Sequence, residues 1–153
     1  MRPARPIPNA WIDTEPYGVP RHPASISIRL DGNEGAPPPQ SVLEPLHQLT
    51  PTSLRQYPDP RPLEAKLAKR FGLEASSVVV TAGGDEGLMR LCRAFLGPGR
   101  NLVFPEPSFE MIRRFAEATG ANIRPVPYPS TGYPTQAVLD ACDDTTAVVA
   151  VIS

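Results

Sequence analysis

The chain has 153 residues, of which 41% are hydrophobic and 20% charged, a balance typical of a globular domain rather than a disordered protein. Its net charge of -1 and scattered basic residues argue against a nucleic-acid partner. The sequence has no apolar run of the ~20 residues that cross a bilayer and no signal-peptide core, which predicts a cytoplasmic protein. The two cysteines, Cys92 and Cys142, lie in apolar helical patterns, which predicts core thiols rather than a disulfide or a metal site.

Residues 1–40 are predicted to form an N-terminal arm and part of a small domain. Six prolines within the first 24 residues exclude a regular helix there. Residues 25–30 alternate between polar and apolar side chains, which is the period of a half-buried strand. A turn-forming run with Asn33 and Glu34 follows. The next predicted element is a short helix over residues 41–49, with Ser41 as its N-cap.

From residue 61 onward the pattern predicts a regular alternation of helices and strands. Pro62 at the start and Gly72 at the end delimit the first helix, whose face carries Leu63, Leu67 and Phe71. The three valines of residues 78–80 predict a strand covered on both faces. The helix after them carries apolar residues at i, i+3, i+4, i+7 and i+8, which are Leu88, Leu91, Cys92, Phe95 and Leu96.

The remaining elements predict an α/β fold with a mainly parallel sheet. Strands are expected at residues 102–104, 123–126 and 147–152, and helices at residues 108–119 and 135–142. The last strand ends one residue before the chain does, and a domain rarely ends on an uncovered central strand. We therefore expect residues 41–153 to be the first part of a larger domain. This segment should either be poorly soluble alone or belong to a longer protein.

Residues 81–86, with the sequence TAGGDE, join a predicted strand to the start of a helix. Gly83 and Gly84 allow backbone N–H groups to approach a ligand, and the first turn of a helix attracts anions such as phosphate. The run matches neither the dinucleotide-binding nor the triphosphate-binding glycine pattern. The alternative interpretation is a tight turn in which Asp85 caps the helix.

Two aromatic residues are further candidates for ligand contacts. Tyr57 lies in the run YPDP, where two prolines would direct its hydroxyl toward a ligand or a neighbouring subunit, although a plain proline-rich turn has the same pattern. Phe109 follows a strand at the edge of the sheet where parallel folds bind ligands, so it could stack on a planar ring or simply pack in the core. The two lysines, Lys66 and Lys69, share the polar face of a helix and predict a solvated surface.

Four motifs in order resemble those of the histidinol-phosphate aminotransferases, which are fold-type I, pyridoxal-phosphate (PLP)-dependent members of the class I and II aminotransferases. Residues 30–34 (LDGNE) resemble the family's LDxNEN, and residues 57–60 match its YPDP. Residues 83–86 (GGDE) resemble its GSDE, and residues 107–109 (PSF) resemble its PTY or PTF. The resemblance implies a three-layer, PLP-binding large domain, incomplete here because the chain covers less than half of a family protein.

The same resemblance implies roles for individual residues. The segment Gly83, Gly84 and Asp85 would bind the cofactor phosphate through its backbone, and Phe109 would stack on the pyridine ring. Tyr57 would reach the phosphate bound by the other subunit of a homodimer. Two further residues would border the substrate, namely Asn33 and Glu34.

The implied activity is transamination between histidinol phosphate and 2-oxoglutarate in histidine biosynthesis. The catalytic lysine of the family would lie beyond Ser153, so the chain alone is predicted to be inactive. Gly84 replaces the family's serine and Phe109 a common tyrosine, which affects the substrate assignment more than the cofactor assignment. The alternatives are a threonine-phosphate decarboxylase, an aromatic amino-acid aminotransferase, a non-catalytic phosphate-binding or dimerisation fragment, and an unrelated nucleotide-binding α/β domain.

Overall fold

The computed structural model describes Gly18 and residues 35–152. The predicted strand at residues 25–30 and the candidate substrate residues Asn33 and Glu34 lie outside the described residues. The chain divides between Val78 and Val79 into two compact units, which are taken in turn.

The first unit is helical over its described residues. It contains α1 (Gln40–Leu43), a 3-10 turn (Glu44–Gln48), α2 (Pro51–Arg55), α3 (Arg61–Phe71) and a second 3-10 turn (Ala75–Ser77). The predicted helix at residues 41–49 is present, but Ser41 is not its N-cap. Pro39 takes that position without a side-chain cap, and the α-helix gives way to the 3-10 turn because Pro45 has no N–H to donate.

Helix α2 was not predicted from the sequence, although its start carries a recognisable signal. The Thr50 hydroxyl accepts a hydrogen bond from the Ser53 amide at 3.1 Å, and the Ser53 hydroxyl accepts one from the Thr50 amide at 2.9 Å. Pro51 occupies the first helical position, where a missing N–H costs nothing. A threonine, a proline and a serine at this spacing form a capping box with serine in the place of the usual glutamate.

Helix α3 confirms the predicted start and stop. Pro62 lies in the first turn, and Gly72 ends the helix with a φ of +67°, a left-handed conformation that glycine adopts without strain. The predicted apolar face is only partly buried. Leu63 and Phe71 remain exposed within the described chain, whereas Ala68 is buried.

The second unit is a three-stranded parallel sheet with helices, and it confirms the predicted α/β alternation. Its strands are β1 (Asn101–Glu106), β2 (Asn122–Pro127) and β3 (Thr146–Val149), in the order β2-β1-β3. Its helices are α4 (Gly83–Phe95), α5 (Glu110–Glu117) and α6 (Thr135–Asp140). Strand β1 pairs in parallel with both other strands, so it is the central strand, and it is buried along most of its length.

Alternate residues of β1 enter two separate hydrophobic clusters. Leu102 and Phe104 pack in one cluster, together with Cys92 and Leu96 from α4 and its C-terminal end and Ile112 and Ala116 from α5. Val103 points to the opposite face and packs with Val126 and with Val138 of α6. The sheet is therefore covered on both faces, which gives this unit three layers.

Two predictions about burial were wrong in detail. Residues 78–80 are not part of the three-stranded sheet, and Val79 is 66% exposed, because no strand among the described residues pairs with this segment. Cys92 of α4 and Leu96 directly after the helix are buried as predicted, but Leu91 and Phe95 are exposed.

Both cysteines are free, and Cys92 is fully buried as predicted, while Cys142 is half-buried beside the second cluster. Burial raises the pKa of the Cys92 thiol. Within the described residues, no helix is long and apolar enough to cross a bilayer. The same part of the chain contains no cluster of three or more side chains suited to holding a metal ion.

A polar network fixes the end of the sheet at which β1 and β3 begin. The carboxylate of Asp143 accepts hydrogen bonds from the Thr145 hydroxyl at 2.7 Å and from the Thr145 amide at 2.9 Å. It also accepts from Arg124 of β2 at 2.5 Å and from the buried Asn101 of β1 at 3.3 Å. These donors, first the Thr145 hydroxyl and then Arg124, hold the pKa of Asp143 far below its usual value of 3.8.

This network predicts a pH dependence of stability. Because the pKa of Asp143 is lower in the folded than in the unfolded chain, its stabilisation is present above about pH 4 and is lost as the pH falls below that value. We expect Asp143→Asn to lower the unfolding midpoint at pH 7 and to flatten its decline between pH 4 and pH 2, measured by urea titration.

The matched control is Asp144→Asn, the same chemical change at a neighbour whose side chain makes no hydrogen bond within the described residues. An unchanged pH profile in Asp143→Asn, or an equal change in both variants, would contradict the assignment.

Candidate functional site

A cleft of about 440 Å³ opens at the edge of the sheet where the parallel strands end. Its walls come from α4, from the segment that follows β1, and from the end of β3. The lining is mainly apolar and consists of Leu88, Leu91, Phe109, Ile112 and residues 148–152. Ligands of parallel α/β folds bind at this edge, so the cleft is the candidate site.

Helix α4 begins at Gly83, whose φ of +80° lies in the region that favours glycine. The Gly83 amide donates to the carbonyl of Thr81 at 2.9 Å, and the Thr81 hydroxyl donates to the carbonyl of Gly83 at 2.8 Å. Among the hydrogen bonds of the described residues, none engages the amides of Gly84 and Asp85. These two N–H groups of the first turn are therefore available to an anion.

The alternative in which Asp85 caps the helix was wrong, because Ala82 occupies the N-cap position without a side-chain cap. Instead the carboxylate of Glu86 accepts a hydrogen bond from the Ala82 amide at 2.5 Å and pairs with Arg90 at 2.6 Å. The Ala82 amide first, and Arg90 second, hold the pKa of Glu86 below its usual value. Glu86 thus fixes the turn before the helix while leaving the amides of Gly84 and Asp85 free.

Phe109 lies at the N-cap of α5 and is 48% exposed, so it lines the cleft and is not a core residue. Leu88 lines the same cleft and follows Gly84 by about one helical turn, or roughly 6 Å along the axis. The free amides and the aromatic ring therefore lie at the same end of this unit. Next to Phe109, the buried Ser108 hydroxyl has no hydrogen-bond partner within the described residues.

Charged side chains join the two ends of the segment Pro107–Phe109, the Phe109 segment, which connects β1 to α5. Arg113 of α5 contacts Glu106, the last residue of β1, at 2.8 Å, and Glu117 of α5 at 2.8 Å. Hydrogen bonds to Glu117 and then to Glu106 raise the pKa of Arg113. The backbone carbonyl of Glu106 also accepts from the amide of Tyr128 at 2.7 Å. This arrangement was not predicted from the sequence.

Of the predicted site residues, Phe109 lines the cleft, and Gly84 and Asp85 lie in the first turn of α4. Tyr57 belongs to the first unit and is fully exposed within the described chain. Lys66 and Lys69 are exposed on α3, as predicted. The roles assigned to Tyr57 and to Asn33 and Glu34 stay predictions.

The donor set suits a planar ring that carries an anionic group. Two free amides at a helix start bind an anion without a positively charged side chain, because the helix dipole adds a partial positive charge there. A Cβ placed on Gly84 would meet no atom within 4 Å, so the approach to these amides is open. An apolar cleft with an exposed phenyl ring accommodates an aromatic ring beside that anion.

Comparison with known proteins gives consistent results. The sequence model of the family "Aminotransferase class I and II" matches residues 27–152. Histidinol-phosphate aminotransferase 2 of Pseudomonas fluorescens is 34% identical over 150 residues, which are 94% of this chain and 39% of that protein. Histidinol-phosphate aminotransferase of Paramagnetospirillum magneticum is 39% identical over 98 residues, which are 62% of this chain and 27% of that protein. The chain thus spans about two fifths or less of these relatives.

Solved structures share the fold. Histidinol-phosphate aminotransferase from Sinorhizobium meliloti, solved in complex with pyridoxal-5'-phosphate, has a TM-score of 0.61 and 23% identity over 68% of this chain and 28% of that chain. Bna3p from Saccharomyces cerevisiae has a TM-score of 0.61 and 22% identity over 74% of this chain and 32% of that chain. At these identities the likeness supports the fold alone, and it confirms the predicted α/β fold.

Proposed function

Because the chain belongs to the class I and II aminotransferase family, we propose that it is the cofactor-binding part of a PLP-dependent aminotransferase. The observation that carries this proposal is the pair of free amides, Gly84 and Asp85, at the same end of the unit as the exposed ring of Phe109. A phosphate and a pyridine ring joined in one molecule match these two features. The cofactor found in the Sinorhizobium meliloti structure supports the same choice.

In this proposal each group of the chain has a distinct task. The amides of Gly84 and Asp85 bind the cofactor phosphate, and the start of α4 stabilises its negative charge. The ring of Phe109 stacks on the pyridine ring, and the apolar lining of the cleft excludes water. PLP, when bound, supplies the electron sink for amino-group transfer. The chain's contribution is therefore to bind and orient the cofactor.

For the whole protein, we propose transamination between histidinol phosphate and 2-oxoglutarate. Support comes from the four sequence motifs and from the histidinol-phosphate aminotransferases that the chain resembles. In this proposal Tyr57, which is fully exposed, reaches the phosphate bound by a second copy in a homodimer. Asn33 and Glu34 border the substrate.

The cofactor proposal is tested by titrating the chain with PLP and, separately, with pyridoxal, which lacks the phosphate. We expect PLP to bind about tenfold or more tightly than pyridoxal, because hydrogen bonds to a charged group contribute roughly 1.5–3 kcal/mol each. Equilibrium dialysis measures both dissociation constants, and inorganic phosphate should compete with PLP.

Equal affinities for PLP and pyridoxal would contradict the phosphate assignment, and binding of ATP or NAD would favour a nucleotide-binding domain instead. Transamination is measured on the full-length protein with histidinol phosphate, threonine phosphate and aromatic amino acids as competing substrates. Preference for either of the other two would overturn the histidinol-phosphate assignment.

A further inference from the structure

The segment Pro107–Phe109 joins β1 to α5 and carries the ring that lines the cleft. Its first neighbour, Glu106, is fixed by the parallel pairing of β1 with β2 and by the hydrogen bond that its carbonyl accepts from Tyr128. Its other neighbour, Glu110, begins α5. The direction of the Phe109 ring therefore depends on how the start of α5 is held against the end of β1.

Arg113 provides that connection. Its Nε lies 2.8 Å from a carboxylate oxygen of Glu117, one helical turn further along α5, and its terminal NH1 lies 2.8 Å from a carboxylate oxygen of Glu106. The first contact restricts the side chain on the helix, and the second ties the helix to the strand. Because the guanidinium is planar, holding it at two nitrogens fixes its orientation more firmly than a single contact would.

We propose that the ion pair between Glu106 and Arg113 positions Phe109. The pair links the two ends of the three-residue segment and so holds the ring in the cleft. This inference rests on the proposed function, because it assigns the ring to the cofactor. Neither Glu106 nor Arg113 lines the cleft, so both act through the segment and neither is a catalytic residue.

A similar pair at the other binding segment supports the interpretation. The carboxylate of Glu86 binds the Ala82 amide and also Arg90, one turn further along α4. Glu86 thus ties the turn before α4 to the helix, and Arg90 of the same helix holds the Glu86 carboxylate in place. In both cases the pair leaves the groups that would face the ligand unobstructed.

The experiment compares Glu106→Gln with Glu117→Gln. Both variants remove one carboxylate partner of Arg113 and change the net charge equally, but only Glu106 adjoins the Phe109 segment. The first measurement is hydrogen–deuterium exchange of the Ser108 and Phe109 amides in the chain without cofactor. We expect Glu106→Gln to speed exchange there by about two- to fivefold, the range for a partly exposed ion pair, and Glu117→Gln to change it less than twofold.

The second measurement is the dissociation constant for PLP in the same variants, in Phe109→Leu, and in the double variant Glu106→Gln with Phe109→Leu. Glu106→Gln is expected to weaken binding by about two- to fivefold, but to have little further effect once Phe109 is replaced, because both changes act through one ring. Arg113→Lys should recover part of the loss that Arg113→Gln causes, since it keeps the charge without the planar fork.

Two results would overturn the inference. One is equal exchange rates in Glu106→Gln and Glu117→Gln, and the other is additivity of the Glu106 and Phe109 substitutions in PLP binding. If the unsubstituted chain does not bind PLP, the proposed function fails, while the exchange measurement still decides whether the ion pair holds the segment.

Discussion

Replacement of Gly84 by glutamate is expected to weaken PLP binding by about tenfold or more relative to replacement by glutamine. Both side chains have nearly the same size, and a Cβ at this position meets no atom within 4 Å, so neither should disturb the fold. The difference is one negative charge within a few ångströms of the proposed phosphate site, which costs at least about 1.4 kcal/mol of binding free energy.

Relative to Gly84→Gln, the glutamate variant is expected to bind PLP more weakly without a loss of thermal stability. A weaker binding can therefore not be attributed to unfolding. A carboxylate in the first turn of α4 interacts favourably with the helix dipole, so Gly84→Glu should unfold at the same or a slightly higher temperature than Gly84→Gln. Thermal unfolding and PLP titration on the same samples check both statements. Equal PLP affinities of the two variants would place the phosphate away from this helix start.

Replacement of Phe104 by alanine is expected to lower the free energy of unfolding by about 3–5 kcal/mol, the usual cost of removing a buried phenyl ring. Phe104 is 1% exposed and lies at the centre of the cluster between β1, α4 and α5. Urea denaturation followed by circular dichroism measures the change. The cost is large against the total stability of a typical domain, about 5–15 kcal/mol.

The chain offers a matched control in Phe95, which is 60% exposed at the end of α4. Phe95→Ala is the same chemical change and should cost less than about 1 kcal/mol. If Phe104→Ala does not fold, Phe104→Leu is expected to cost up to about 1.5 kcal/mol. Similar losses in Phe104→Ala and Phe95→Ala would show that this cluster is not the main core.

The elements that the sequence predicted well are those whose signal is local. The apolar residues of β1 form a continuous run, and those of α5 recur at helical spacing and end at Gly120, whose φ is +79°. Helix α2 was missed because its five residues are too short to show a periodic face, and only the polar cap at Thr50 marks it.

Predictions that depended on neighbours distant in the chain were less successful. The valines of residues 78–80 have the composition of a buried strand, but burial also needs strands on either side, and composition does not reveal these. Ion pairs between residues distant in the chain are equally hard to predict from the sequence. Glu86 and Arg90 are four residues apart and could be paired from the sequence, whereas Glu106 and Arg113 meet only because a helix folds back beside its strand.

The backbone groups and the aromatic ring of the candidate site belong to residues that the sequence had singled out, and their roles in binding stay predictions. In the structure Gly84 and Asp85 lie in the first turn of α4, and Phe109 lines the cleft. The side chains that hold these groups in position were not predicted, because their partners are set by tertiary packing. Such supporting contacts leave little trace in a single sequence.

Strand β1 has a network of polar contacts at one end and the Phe109 segment at the other. Asn101 belongs to the Asp143 network, and Glu106 adjoins the segment, so the two lie five residues apart on an extended strand, or about 17 Å. That distance is about twice the Debye length of ~8 Å at physiological ionic strength. Exposed charges at the start of the sheet can therefore be altered, for example to adjust solubility, with little change in the potential at the Phe109 segment.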